Sequence, residues 1–213
     1  MAKLVSKVYG DALFSLAVEE NRVDELWDET RAMKQVLSEN PDFMAILEHP
    51  EMTMEKKIII GADRLAVPLK DDLKKRLEEV HGYRVDDVGM QEGGEFISYI
   101  DTACRVAKEL QKGNYERGIL LCGTGAGMTL VANKFKGIRA VLCHNTYEAR
   151  MCRTINNANV LCLGGGVLTA PIAEEMLDLF LETPFKEAFP KDRHDFLEFA
   201  QKEIARIEDE NFK

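Results

Sequence analysis

Hydrophobic side chains near the start of the chain recur at the spacing of amphipathic helices. The pattern predicts a helix over residues 4–20, a second over 22–37, and a short third one that ends at Leu47 with Pro41 at its first helical position. No strand pattern separates these helices, and three short helices form part of a bundle and not a complete one. We therefore expect a separate helical segment over residues 1–53.

From Lys56 onwards the pattern changes to apolar runs that alternate with helical spacing. Strands are predicted over 57–61, 83–88, 119–121, 138–144 and 160–163. Helices are predicted from Pro68, over 97–110, 129–135 and 147–155, from Pro171, and over 194–210. Five strands that alternate with helices indicate an α/β domain over 54–213, with a Rossmann-like, doubly wound sheet of five parallel strands.

The stretch from Gly118 to Met128 is the strongest candidate for chemistry. Its apolar run stops at Cys122, and alternating glycines then lead into a helical pattern. Glycines let the backbone approach a ligand, and a helix start offers unpaired N–H groups, so this turn suits an anion. A thiol beside the positive end of a helix is favoured as the thiolate, which acts as a base or nucleophile.

Two other interpretations of this loop compete with a site for a phosphate or oxyanion. One is a tight strand-to-helix turn around a structural cysteine. The other is a nucleotide loop, but Met128 stands where a P-loop needs lysine and where a dinucleotide fingerprint needs its third glycine. The loop also follows the third predicted strand and not the first, which further disfavours the dinucleotide interpretation.

Composition narrows the classes of partner. The formal net charge of −9 argues against nucleic acid and anionic membranes. No apolar run reaches the roughly 20 residues of a membrane span, and the N-terminus lacks the apolar core of a signal peptide. The odd number of cysteines, 5, without paired spacing predicts a reduced, cytoplasmic protein. We expect no metal, because the 4 histidines lack the spacing of metal ligands, and we expect no cofactor either.

Ligands of parallel sheets bind beyond the carboxyl ends of the strands. This rule predicts that Asp63, the Cys122 loop, His144 and residues 156–159 lie together at one edge of the sheet.

The helical segment resembles the N-terminal domain of the delta subunit of rotary ATP synthase. The resemblance depends on residues 1–20, Asn40-Pro41 and His49-Pro50. In that family the domain has six helices and docks on the catalytic head; about its first half is present here. The segment could therefore be an adaptor or a fused helical appendage.

Residues 56 to about 205 resemble the ribose-5-phosphate isomerase B and galactose-6-phosphate isomerase family. The matching stretches are Ile60–Asp63, Gly118–Gly127, Ala132–Val141, Cys143–Arg150 and Asn156–Leu161. The resemblance implies a metal-independent aldose–ketose isomerase that acts on a phosphorylated sugar, pentose phosphates included, through an enediolate. It also implies a homodimer or tetramer whose site lies between subunits.

The resemblance assigns roles to individual residues. Cys122 matches the base that moves a proton between C1 and C2, Thr124 matches the hydroxyl that assists it, and the glycine loop matches the N–H groups that hold the enediolate oxygens. The remaining residues are expected to bind substrate: Asp63, Arg64, Tyr99, Gly123, Gly125, Ala126, Gly127, Asn156, Arg193 and His194.

Several positions depart from the family pattern, three of them at residues expected to contact the substrate. Arg64 replaces a histidine, Ile155 replaces the histidine linked to ring opening, and Gly166 replaces a phosphate-binding arginine. We therefore expect proton transfer to be retained, with Arg64 as the phosphate contact, and a short, open-chain substrate such as a tetrulose 4-phosphate. An alternative is a five- or six-carbon sugar opened by His144 or His194.

A catalytically impaired auxiliary subunit, or an adaptor that acts through the helical segment, are further alternatives. The retained Cys122 and Thr124 argue against the former.

Overall fold

The computed structural model describes residues 14–40 and 56–212, and the chain divides into two compact units, Met1–Glu55 and Lys56–Lys213. In the first unit residues 14–19 are helical and helix α1 spans Val23–Glu39. Two predictions, the start of the first helix and the third helix through Leu47, lie outside the described residues.

The second unit contains a five-stranded sheet in which every neighbouring pair is parallel. Its order is β2-β1-β3-β5-β4, with β1 at Lys57–Ala62, β2 at Arg84–Asp87, β3 at Arg117–Cys122, β4 at Ala140–Leu142 and β5 at Val160–Gly164. The central strands are continuous apolar runs because both faces of a parallel sheet are covered. The two edge strands are shorter than predicted, since each pairs on one side only.

Helices cover both faces of this sheet, so the predicted doubly wound α/β class is confirmed. Their bounds are α2 Val67–Glu79, α3 Tyr99–Gln111, α4 Ala126–Ala132, α5 Thr146–Thr154, α6 Ala170–Glu182 and α7 His194–Asn211. Side chains of α2, α5 and α6 share one apolar cluster, and those of α3 and α4 share the cluster on the opposite face. Because all the strands are parallel, the loops that follow them lie at one edge of the sheet.

Helix α4 begins three residues earlier than the sequence pattern predicts. Gly125 has a φ of 80°, a left-handed conformation that lets the chain turn directly from β3 into the helix. The helix ends at Ala132, and the side chain of the next residue, Asn133, donates to the carbonyl oxygen of Ala140 and accepts the Ala140 N–H. These bonds tie the end of α4 to the start of β4.

The prediction that residues 156–159 join Cys122 at one edge is wrong within a single chain. These residues precede β5, and the Asn159 carbonyl oxygen accepts the N–H of Gly118 near the start of β3. They therefore lie at the amino edge of the sheet, whereas Cys122 ends β3 at the carboxyl edge. A segment between a helix and the next parallel strand always returns to the amino edge.

Candidate active site

The loops that follow β1, β3 and β5 contact one another through glycine backbone. The N–H of Gly165 donates to the Cys122 carbonyl oxygen at 2.8 Å, and that of Gly166 donates to the Gly123 carbonyl oxygen at 2.9 Å. A β-carbon at Gly165 would lie 2.6 Å from the Cβ of Ala66, so this approach requires glycine. Cys122 and the loop after it are thereby fixed between two neighbouring loops.

The Cys122 thiol lies at the end of β3 and its residue is 6% exposed. Its Sγ accepts the backbone N–H of Gly125 at 3.1 Å. This donor places a partial positive charge against the sulfur, where a thiolate would carry its negative charge. By contrast, burial raises the pKa of the Cys162 thiol to about 12, so that neighbour remains a neutral core side chain.

The loop after Cys122 presents backbone donors that are not used within the fold. Within residues 56–212, no acceptor faces the N–H groups of Gly123, Thr124, Ala126 and Gly127. The first bond of the helix runs from the Thr129 N–H to the Gly125 carbonyl oxygen at 3.2 Å. Thr124 and Ala126 are exposed, so a ligand can reach this loop. A loop that presents unpaired N–H groups next to a thiol in the chain can stabilise an oxyanion.

The loop after β1 brings a cation to the same edge. Asp63 caps a short turn, Arg64–Ala66, in which its Oδ1 accepts the Leu65 N–H at 2.9 Å. Arg64 is exposed and lines a cleft of about 430 Å³ whose walls come from α2 and from residues 90–94. A guanidinium in an open cleft can bind the terminal anion of a ligand through two parallel hydrogen bonds.

Two side chains lie directly against the glycine loop. The ring of Tyr99, at the start of α3, lies 2.9 Å from the position that a β-carbon at Gly127 would occupy. The Cδ1 of Leu65 lies 2.9 Å from the corresponding position at Gly123. Sequence reasoning identified Tyr99 but missed Leu65; an apolar residue inside the polar turn after β1 was the available signal.

A buried lysine, which sequence reasoning also missed, supports the wall of the Arg64 cleft. Lys70 is 0% exposed, and its Nζ donates to Asp87 Oδ2 at 2.6 Å and to the Met90 carbonyl oxygen at 2.8 Å. The signal available was a lysine beside the apolar face of α2. These bonds fix the loop after β2 against that helix.

The structure does not bring every predicted site residue to this edge. Asn156 is exposed at the amino edge, where its carbonyl oxygen accepts the Gln201 side chain of α7 at 3.2 Å. Arg193 and His194 precede and begin that same helix, and His194 Nε2 lies 2.9 Å from the Phe189 carbonyl oxygen. Within one chain, these three residues are separated from Cys122 by the length of the sheet.

His144 follows β4 at the carboxyl edge, on the outermost strand on that side. Its Nδ1 lies 3.5 Å from Glu148 Oε2, and its N–H donates to the same oxygen at 2.7 Å. Among the described residues no cluster of His, Cys, Asp or Glu side chains is arranged to hold a metal ion. None of the helices described there has the length and apolar character to cross a membrane.

The chain thus combines a parallel α/β sheet with a thiol and a loop of unpaired N–H groups at the carboxyl edge of that sheet. The family model described as Ribose/Galactose Isomerase matches residues 58–197. The chain belongs to this family and is an isomerase. A second family model, the ATP synthase delta (OSCP) subunit, matches residues 5–78, which confirms the resemblance of the N-terminal segment.

Individual relatives cover nearly all of the α/β unit. The chain is 38% identical to the 4-deoxy-4-sulfo-D-erythrose isomerase of Clostridium sp. (strain MSTE9), over 74% of this chain and 98% of that protein. It is 43% identical to the D-erythrulose-4-phosphate isomerase of Pectobacterium atrosepticum, over 61% of this chain and 84% of that one. The solved structure of Clostridium thermocellum ribose-5-phosphate isomerase B superposes with a TM-score of 0.65 at 36% identity, over 72% and 98% of the two chains.

Proposed function

We propose that this chain interconverts the aldose and ketose forms of a short sugar that carries a terminal anion, with Cys122 as the base. The observation that carries the proposal is the Cys122 thiol, which accepts one loop N–H and adjoins four others without an acceptor in residues 56–212. A base needs its reacting atom beside a group that stabilises the charge formed on the substrate.

Each proton transfer of the proposed isomerisation can be assigned to Cys122 or Thr124, and no oxidant, reductant or metal is needed. The Cys122 thiolate takes the proton from C2 of the aldose, the C–H electron pair forms a C1–C2 double bond, and O1 becomes an enediolate oxygen. The free N–H groups of the loop stabilise this oxygen. The thiol then returns the proton to C1, while the Thr124 hydroxyl assists transfer of the O2 proton to O1. The C2 carbonyl of the ketose results.

A four-carbon substrate suits the residues at the site. A sugar that carries its anion on C4 has no free C4 hydroxyl, so it cannot close a five-membered ring and needs no ring-opening group. Ile155 stands at the position of the family's ring-opening histidine. Two relatives are named for four-carbon substrates, one a 4-phosphate and one a 4-sulfo sugar. We propose that Arg64 in its cleft binds that terminal anion.

Kinetics on sugars of different length, measured for the wild type and for Cys122→Ala, test both the substrate and the role of Cys122. Wild type should show its highest kcat/KM on erythrulose 4-phosphate, compared with ribulose 5-phosphate and tagatose 6-phosphate. Cys122→Ala should lower kcat by about 10²–10⁴-fold, the usual contribution of a general base, and leave KM close to unchanged. Cys104→Ala is the matched control, because this partly exposed thiol lies on α3. Full activity of Cys122→Ala, or a preference for either longer sugar, would contradict the proposal.

A second copy of the chain would complete the site. Because Asn156, Arg193 and His194 lie at the amino edge, they can bind a substrate at Cys122 only from a partner subunit. Exposed apolar side chains at both edges support such contacts: Leu130, Tyr147, Phe196 and Phe199. We therefore propose a homodimer with shared sites.

Complementation tests the shared site. Dimers of Cys122→Ala alone or of Asn156→Ala alone should have little activity. Randomly mixed dimers should regain about a quarter of wild-type turnover, because half of the dimers are mixed and each has one intact site. A fully active monomer in sedimentation, or no recovery in mixed dimers, would refute the arrangement.

We also propose that residues 1–53 form a separate helical domain that is dispensable for the chemistry, with an adaptor role as the alternative. A folded 54–213 chain should keep its kinetic constants within a few-fold. A large loss of activity would place the boundary elsewhere.

A further inference from the structure

Leu65 projects over the loop that follows the reactive thiol. Its residue is 64% exposed, and its Cδ1 and Cβ lie 2.9 and 3.9 Å from the position that a β-carbon at Gly123 would occupy. Apart from the neighbours of Gly123 in the chain, no other heavy atom of the described residues lies within 4 Å of that position. Leu65 is therefore the side chain that bounds this side of the loop.

The turn that carries Leu65 is held on both sides. Asp63 accepts the Leu65 N–H through its side chain at 2.9 Å and the Ala66 N–H through its carbonyl oxygen at 3.1 Å. Ala66 is buried against Gly165 of the loop after β5. With its backbone fixed on both sides, Leu65 can change rotamer but cannot move away from the thiol loop as a whole.

The loop after β5 leaves the neighbouring space free of side chains. A β-carbon at Gly166 would find only the Gly123 carbonyl group within 4 Å, with the oxygen at 3.0 Å. Gly123 and Gly166 thus form a floor, a surface of backbone atoms without side chains, and Leu65 lies at the edge of this floor. A substrate held by the loop N–H groups would extend along this floor until it meets the leucine.

We propose that Leu65 is a specificity-determining residue that limits the length of the sugar accepted beside Cys122. This inference rests on the proposed isomerase activity. A four-carbon substrate ends before the leucine side chain, whereas each additional hydroxymethylene group of a longer sugar must displace it. A mismatch of one methylene in a hydrophobic pocket changes kcat/KM by about 10–200-fold, and because Leu65 is an exposed side chain we expect an effect near the lower end of that range.

The test measures a ratio: kcat/KM for ribulose 5-phosphate divided by kcat/KM for erythrulose 4-phosphate. Leu65→Ala should raise this ratio by about 10-fold or more, and Leu65→Val, which removes less volume, should raise it by a smaller factor. Val80→Ala is the matched control, since Val80 has the same 64% exposure at the far end of α2. The control should leave the ratio unchanged, and thermal unfolding of all three variants should stay close to wild type because both side chains are exposed.

The outcomes separate this inference from the activity on which it rests. A wild-type enzyme that isomerises none of these sugars would refute both. An active wild-type enzyme whose ratio is unchanged by Leu65→Ala and Leu65→Val would overturn the role of Leu65 alone. An equal rise of the ratio in Val80→Ala would also overturn the role of Leu65, because the effect would then not depend on the side chain next to the Cys122 loop.

Discussion

Replacing Gly125 by alanine tests whether the shape of the thiol loop supports the chemistry at Cys122. Gly125 has a φ of 80°, and an added β-carbon would lie 2.4 Å from Leu142 Cδ1 and 2.9 Å from the carbonyl carbon of Leu163. The left-handed backbone costs an L-residue about 1–2 kcal/mol. The collision with fixed backbone adds about 1–3 kcal/mol, as overpacking usually does. We expect the free energy of unfolding to fall by about 2–5 kcal/mol.

The same change should lower activity. In the wild type the Gly125 N–H donates to Cys122 Sγ at 3.1 Å. The added carbon should push the loop away from Leu163 and lengthen this hydrogen bond. The displaced loop also carries the N–H groups proposed to stabilise the enediolate, and loss of one such donor typically costs about 10²–10³-fold in kcat. We expect a fall within that range for Gly125→Ala, measured in a coupled isomerase assay beside urea unfolding.

Gly137→Ala is the control, because Gly137 has a φ of 79° but no heavy atom within 4 Å of its β-carbon position. It isolates the cost of the left-handed backbone, about 1–2 kcal/mol, and should keep full activity. The reasoning is wrong if Gly125→Ala is no less stable than Gly137→Ala and turns over at the wild-type rate.

Two charged groups give further predictions. The hydrogen bond from Arg76 holds the pKa of Asp178 below its ordinary value, so its stabilisation is present above about pH 4 and lost as pH falls through the folded value. Asp178→Asn should therefore cost about 1–3 kcal/mol at neutral pH and progressively less in acid; a cost independent of pH would contradict this. Lys70→Met leaves Asp87 buried and unpaired and should cost about 3–5 kcal/mol in urea unfolding, whereas the exposed Lys75→Met should cost little; equal effects would refute the role of burial.

Much of the fold and the centre of the site could be predicted from local sequence. The five strands are recognisable because apolar runs alternate with helical spacing, and both patterns are properties of contiguous residues. The thiol, the glycines and the start of α4 lie within one short stretch, so their juxtaposition follows from chain connectivity alone. The same holds for Asp63 and Arg64, which directly follow β1.

Only the tertiary structure decided which distant residues share an edge. The order β2-β1-β3-β5-β4 depends on pairing between strands that are far apart in the chain, and local periodicity carries no information about it. Because β1 and β3 are neighbours in that order, Leu65 lies over Gly123, whereas the place of Asn156 at the amino edge already follows from the parallel connection of α5 to β5. Contacts of this kind arise when loops from different strands pack together, since packing depends on three-dimensional shape and not on residue type at one position.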